Sequence, residues 1–180
     1  LFDRVVTWLA PMLPFTTEEA WLDLHENAVS VHLEQFRTTP EEWKNEALAA
    51  KWRKVREVRR VVTGALELER AKKTLGSSLE AAPLVFIGDA ELLAAVKDID
   101  MAEICITSAI TIRDGAAPAG AFIADDVRGV AVVPERASGT KCARSWRYTH
   151  DVGSDPAYPD VSARDAAALY ELAKLGKLDI

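Results

Sequence analysis

Apolar residues recur at helical spacing through the first third of this chain. The longest such segment runs from Lys51 to Leu75 without proline and with a single glycine, Gly64. At ~1.5 Å per residue it makes a rod of roughly 37 Å. Val55, Val58, Val62, Ala65 and Leu66 define one apolar face, and Arg53, Arg56 and Arg60 fall opposite it. Beyond Gly64 the stripe rotates through Leu68, Ala71 and Leu75, which predicts a bend at the glycine and two halves packing on different neighbours. Gly76 is read as the C-terminal glycine of this helix.

The preceding residues predict shorter helices. LFDRVVTWLAPMLP ends one helix, broken by Pro11 and Pro14. Thr16-Thr17-Glu18-Glu19 is read as a capping box opening a second helix, with Ala20, Trp21 and Leu24 facing inward. Ser30 to Leu33 is read as extended. Thr39-Pro40-Glu41-Glu42 predicts a helix start that carries Trp43, Leu48 and Trp52 and runs into the basic rod. After Gly76 the pattern shortens. Pro83 to Ile87 reads as a strand, Asp89 as the cap of a helix over 90–96, and Ile99 to Ile104 as a further helix. Strands are expected over 105–112, 121–124 and 129–133, with a Gly/Ala/Pro loop at 115–120. A polar stretch follows, and Ser162 is placed to cap a last helix over 163–175.

Charge adds an asymmetry that the pattern alone hides. The 180 residues carry a net charge of −6. Residues 51–73 nevertheless hold nine Lys/Arg against three Asp/Glu, while 1–50 and 74–180 are each at −6. Two readings fit this basic helix. It is a solvated or internally neutralised face, or it is a face that binds a polyanion such as nucleic acid.

The remaining chemistry is sparse. No apolar run reaches the ~18 residues that cross a bilayer. Two cysteines, Cys105 and Cys142, build no disulfide framework, so a reducing cytosol is expected. The chain lacks an initiating Met and opens inside an amphipathic pattern, which reads as a piece of a longer protein. There is no Gly-rich phosphate loop and no HExxH. His25, His32 and His150 are scattered, and Asp125-Asp126 falls in a turn between strands. No constellation marks this segment as an enzyme by itself.

Several phrases, in order, carry a family likeness: LAPMLPFTTEEAW, SVHLEQF, LERAKKTLGSSLEA, ITSAITI and GTKCARSWRYTHDVG. Together they resemble the C-terminal part of bacterial isoleucyl-tRNA synthetases over essentially the whole chain. The resemblance implies an α+β arrangement in three parts. Residues 1–78 would be an all-helical anticodon-binding bundle of the class I type, incomplete at its start. Residues 79–136 would be a small α/β unit, and 137–180 a degenerate zinc-knuckle-like tail with a terminal helix. It also implies a cytoplasmic, monomeric parent with no membrane association, which joins isoleucine to its tRNA using ATP and Mg. The ATP-binding signatures of that family, HIGH and KMSKS, do not occur here, so the segment is expected to be inactive alone and to grip the tRNA for isoleucine. The residues assigned to tRNA on this reading are Arg53, Arg56, Arg59, Arg60, Lys72, Lys73, Arg144 and Trp146.

The resemblance further implies a zinc site of two Cys-x-x-Cys pairs, and here the chain departs from it. The four positions are Cys142, Ser145, Ser162 and Asp165. A structural zinc site takes four strong ligands, so zinc is expected to be absent. Local terms are expected to replace it: a Ser162 cap, Trp146 buried against Leu169 or Leu172, and an Asp165–Arg144 pair. A competing reading from another class is a protein-interaction module whose basic helix docks an acidic partner. Steep salt dependence and preference for tRNA would separate the two.

Overall fold

The structure, a computed structural model, describes residues 1–176. The chain forms two compact units, Leu1–Glu46 and Ala47–Ile180. The first stretch is helical and the later ones combine short helices with a mixed sheet and a small hairpin, an α+β arrangement.

The first unit pairs helix α1 (Phe2–Leu9) with α2 (Pro14–Leu24) around Val6, Ala10, Trp21 and Val31. The expected capping box is not used. Pro14, with its φ already helical, occupies the first turn, so the helix starts ahead of Thr16. Thr17 Oγ1 instead donates back to the Leu13 carbonyl at 2.8 Å. Glu18 faces the following loop and accepts from Ser30 Oγ and the Val31 amide, both at 2.9 Å. Val31–Leu33 is therefore a 3-10 turn capped by Ser30, not the extended segment expected. Leu24, expected inside, is exposed.

The helix expected from Pro40 starts later, at Glu46, so it carries Leu48 and Trp52 but not Trp43. Glu41–Trp43 makes a single 3-10 turn, and Pro40 is extended at ψ 134. Tertiary contacts decide this. The Arg4 guanidinium donates twice to the Thr38 carbonyl, at 3.1 and 3.0 Å, and stacks over Trp43 at 4.7 Å.

In the second unit, helix α3 spans Glu46–Ala71. It begins ahead of Lys51 and stops short of Leu75. Val55, Val58, Val61, Val62, Ala65 and Leu66 are buried. Gly76 does not close the helix. Lys73 takes the left-handed conformation, φ 61, and the Thr74 amide donates to the Glu69 carbonyl at 3.0 Å, a Schellman-type ending built without glycine. Leu75 lies outside the helix and is buried. The helix is continuous across Gly64. A Cβ there would lie 3.1 Å from Phe122 Cζ, so the glycine admits an aromatic ring rather than interrupting the rod.

The sheet has the order β2-β1-β4-β3, with β1 Leu84–Ile87, β2 Thr111–Asp114, β3 Phe122–Ala124 and β4 Val127–Val133. β1 and β2 run parallel, with Leu84 opposite Thr111, and the other two pairings are antiparallel. The parallel crossover carries α4 (Ala90–Val96) and α5 (Met101–Cys105). Asp89 Oδ1 caps α4 as expected, accepting from the Glu91 and Leu92 amides at 2.8 and 3.0 Å. The strand expected over 105–112 is corrected. Cys105 ends α5, Ile106 turns left-handed at φ 57, and pairing begins at Thr111. Val85, Ile87, Val130 and Val132 share one core with the apolar face of α3 and with Leu92, Val96 and Met101.

The C-terminal stretch forms a short hairpin, β5 (Thr140–Lys141) with β6 (Tyr148–Thr149), and helix α6 (Ala163–Lys174). It is tied to the loop before β2. The Tyr148 amide donates to Ser108 Oγ at 2.7 Å, and Arg147 Nη2 donates to the Ser108 carbonyl at 2.9 Å. Residues 177–180, the end of the expected tail, lie outside the described residues.

Candidate nucleic-acid interface

Along α3, successive side chains turn by ~100°, so Arg53, Arg56 and Arg60 share an arc of ~60° facing away from the apolar stripe. Their spread along the axis is ~11 Å. They line an open groove of about 480 Å³ together with Glu57, Arg59 and Thr63. Among the described residues, Arg53 and Arg56 have no carboxylate within ion-pair distance. Arg60 Nη1 does: Asp126 Oδ2 lies 2.9 Å away, with both side chains more than half exposed. An exposed pair of this kind contributes little stability and exchanges readily for another anion.

Arg59 also carries a tie within the fold. Its Nε donates to the Ile104 carbonyl at 2.9 Å, which anchors the end of α5 to α3. Lys54 reaches Glu91 at 2.6 Å on α4. Lys72 and Lys73 stand ~18 Å or more down the axis from Arg60 and form a separate basic end. Lys72 is paired with Glu69 at 2.9 Å. The Glu69 carboxyl is held below its ordinary pKa, first by the Thr74 hydroxyl and then by Lys72.

The β3–β4 hairpin borders the arginine groove, and sequence reading missed this. Phe122 seats against Gly64 and Asp126 against Arg60, both on the outward side of α3. A glycine in line with an arginine face, four residues from Arg60, was the available signal.

In the tail, Arg144 Nε stands 3.7 Å from Asp165 Oδ1, the expected pair. Trp146 is 62% exposed and does not bury against Leu169 or Leu172. Its left-handed φ of 62 turns the ring outward, where Lys141 Nζ lies 5.6 Å from the ring centroid. An exposed tryptophan beside a cation suits a base or ribose better than a core.

The positions implied as zinc ligands converge on one oxygen. Asp165 Oδ2 accepts from Ser145 Oγ at 2.6 Å, Ser162 Oγ at 2.8 Å and Cys142 Sγ at 3.0 Å. The Cys142 sulfur in turn accepts from the Ser145 and Ser162 amides at 3.5 and 3.4 Å. Burial pushes the Asp165 carboxyl up, but the hydrogen bonds from Ser145, Cys142 and Ser162 outweigh it and hold the pKa below the usual carboxylate value. Burial and the Asp165 contact push the Cys142 thiol up, but hydrogen bonds from Ser145 and Ser162 outweigh them and hold it below the ordinary thiol value. Cys105 is different: burial pushes its thiol up to about 11 and leaves it inert.

This donor set does not fit zinc. Tetrahedral ligands at ordinary zinc distances stand about 3.3–3.8 Å apart, wider than the contacts made to Asp165 Oδ2. Two of the four groups are hydroxyls, which keep their protons at neutral pH. Among the described residues no cluster of three or more His, Cys, Asp or Glu could hold a metal, and no helix is long and apolar enough to cross a membrane.

Comparison with known proteins covers the same ground. Residues 1–85 match the family described as the anticodon-binding domain of tRNA ligase. The chain is 68% identical over 178 residues to the isoleucine–tRNA ligase of Brucella abortus biovar 1 (strain 9-941), which is 99% of this chain and 18% of that protein. It is 69% identical over 181 residues to the isoleucine–tRNA ligase of Mesorhizobium japonicum, again 99% and 18%. With the ligase of Agrobacterium fabrum it shares 66% identity over 175 residues, 97% of this chain. The chain thus spans under a fifth of the length of the curated relatives it matches. By these similarities the chain resembles a portion of isoleucine–tRNA ligases, and its residues 1–85 resemble the anticodon-binding domain of tRNA ligases.

Proposed function

We propose that this chain is the tRNA-gripping portion of a protein that attaches isoleucine to its tRNA, acting as a monomer in the cytoplasm and away from membranes. The ATP and Mg of that reaction belong to residues outside these 180, where the missing ATP signatures would lie. Residues 1–78 serve as the anticodon-binding part, and 79–136 buttress the basic helix. Residues 137–180 form a tail derived from a zinc knuckle, which presents Arg144 and Trp146.

One observation carries the reading. Arg53, Arg56 and Arg60 stand on one exposed arc of a helix whose other side is buried in a core. Guanidinium groups on long arms match phosphate oxygens with paired donors. Arg59 is a positioning residue, since its Nε is committed to the Ile104 carbonyl.

The chain is expected to bind tRNA and to give no isoleucine-dependent exchange of pyrophosphate into ATP. Binding of labelled tRNA, challenged with an acidic protein, tests the first half. Competition by the acidic protein as effective as by unlabelled tRNA contradicts it. Exchange above a no-protein blank contradicts the second half.

A further inference from the structure

We propose that the Asp165 carboxylate replaces a metal ion as the centre of the C-terminal knuckle, so that the tail orders without zinc. The inference stands on the geometry of the tail and does not rest on the tRNA reading.

Two tight turns shape the backbone around the site. The Trp146 amide donates to the Cys142 carbonyl at 2.9 Å, Trp146 takes φ 62, and the Ser145 amide points at the Cys142 sulfur. A second turn delivers the Ser162 amide to the same sulfur at 3.4 Å. Such amide donors stabilise electron-rich sulfur, whether it holds a metal or a proton. What has changed is the centre. Where a divalent cation would draw four donors inward, an anionic oxygen draws three protons: two from hydroxyls and one from the thiol. The roles invert, since the positions that would accept a cation now donate to an anion.

The exchange is self-consistent in charge and burial. Cys142, Ser162 and Asp165 are all buried, with Cys142 at 0% exposure. A buried carboxylate without donors would be costly, and Oδ2 has three. Oδ1 faces Arg144 at 3.7 Å. The Asp165 amide donates to Ser162 Oγ at 3.3 Å while that hydroxyl donates to Asp165 Oδ2, so cap and hub are one reciprocal pair. Cys142, Val161 and Ala166 close an apolar shell around it, with Val152, Tyr158 and Leu169 against them. Zinc supply and chelation then have no hold on the order of this tail.

Hydrogen exchange and metal analysis on the intact chain, expressed in zinc-supplemented medium, test the proposal. The unaltered chain is expected to carry no zinc above background, and a chelator is expected to leave the protection of residues 140–170 unchanged. Asp165→Ala strands three donors, so exchange there should quicken by roughly tenfold or more. Ser145→Ala, a milder change that removes one donor, should quicken it less. Restoring thiolates with Ser145→Cys, Ser162→Cys and Asp165→Cys together should yield a chain that takes up about one zinc. Near-stoichiometric zinc on the unaltered chain, with tail protection lost on chelation, would overturn the proposal. So would Asp165→Ala and Ser145→Ala both exchanging at the unaltered rate, or a triple-cysteine chain that takes up no zinc.

Discussion

At the scale of single residues, the positions that mattered were those where local chemistry and tertiary packing agree or collide. Asp89 was readable because its task is local: one carboxylate and two free amides within three residues. Thr16 misled because a proline two residues ahead had already set the helical φ, leaving its cap nothing to do. Gly64 misled in another way. Its cost in a helix suggested a bend, whereas its value is the space it leaves for Phe122. Gly64→Leu is therefore expected to destabilise the second unit by about 1–3 kcal/mol through overpacking against that ring. Thermal unfolding should show it, and Phe122→Ala in the same background should recover part of the loss. An unchanged midpoint for Gly64→Leu would mean that Phe122 is not seated there.

Among the elements, α3 was legible because its signal is long and periodic: the predicted apolar stripe is the buried stripe, with Val61 added. Its ends were not, because they are set by groups outside the period. Thr74 closes the helix through Glu69, and Lys73 supplies a left-handed residue where glycine was expected. The strand expected from Cys105 failed because a run of apolar residues at that length suits a short helix and a following strand equally. The convergence of donors on Asp165 was not legible at all, because Cys142 and Ser145 lie some twenty residues from it in sequence. Two carboxyls at the start of α6 have depressed pKa values: Asp165, and Asp151, held down by the Thr149 hydroxyl and the Ala163 amide. A depressed folded value means the stabilisation is fully present above the unfolded carboxylate pKa of ~3.9 and disappears as pH falls through the folded value. Tail protection is therefore expected to be flat from neutrality down to about pH 4 and to fall below it. Hydrogen exchange across that range checks this; a loss already under way near pH 6 would contradict it.

For the whole molecule, the charge pattern is the functional signal that sequence alone could supply. An acidic chain that gathers its positive balance on one helix offers polyanions a local approach despite its net charge. The structure sharpens this. Of the eight residues expected at tRNA, Arg53, Arg56 and Arg60 form one group, and Lys72 and Lys73 stand apart along the helix. Arg59 is occupied in packing. Arg144 and Trp146 sit on the tail, and Arg144 also faces Asp165. Sequence reading could assign residue types to a polyanion but could not sort those that support the fold from those that face outward.

The most direct measurement is the salt dependence of tRNA binding by the unaltered chain and by the Arg53→Gln, Arg56→Gln, Arg60→Gln variant. If the three arginines neutralise phosphates, the slope of log K against log salt should shrink by roughly 2–3, with a lower affinity at low salt. The melting temperature should stay within a few degrees, because all three side chains lie outside the core. An unchanged slope and affinity, or a collapse of the fold on removing these charges, would contradict the account.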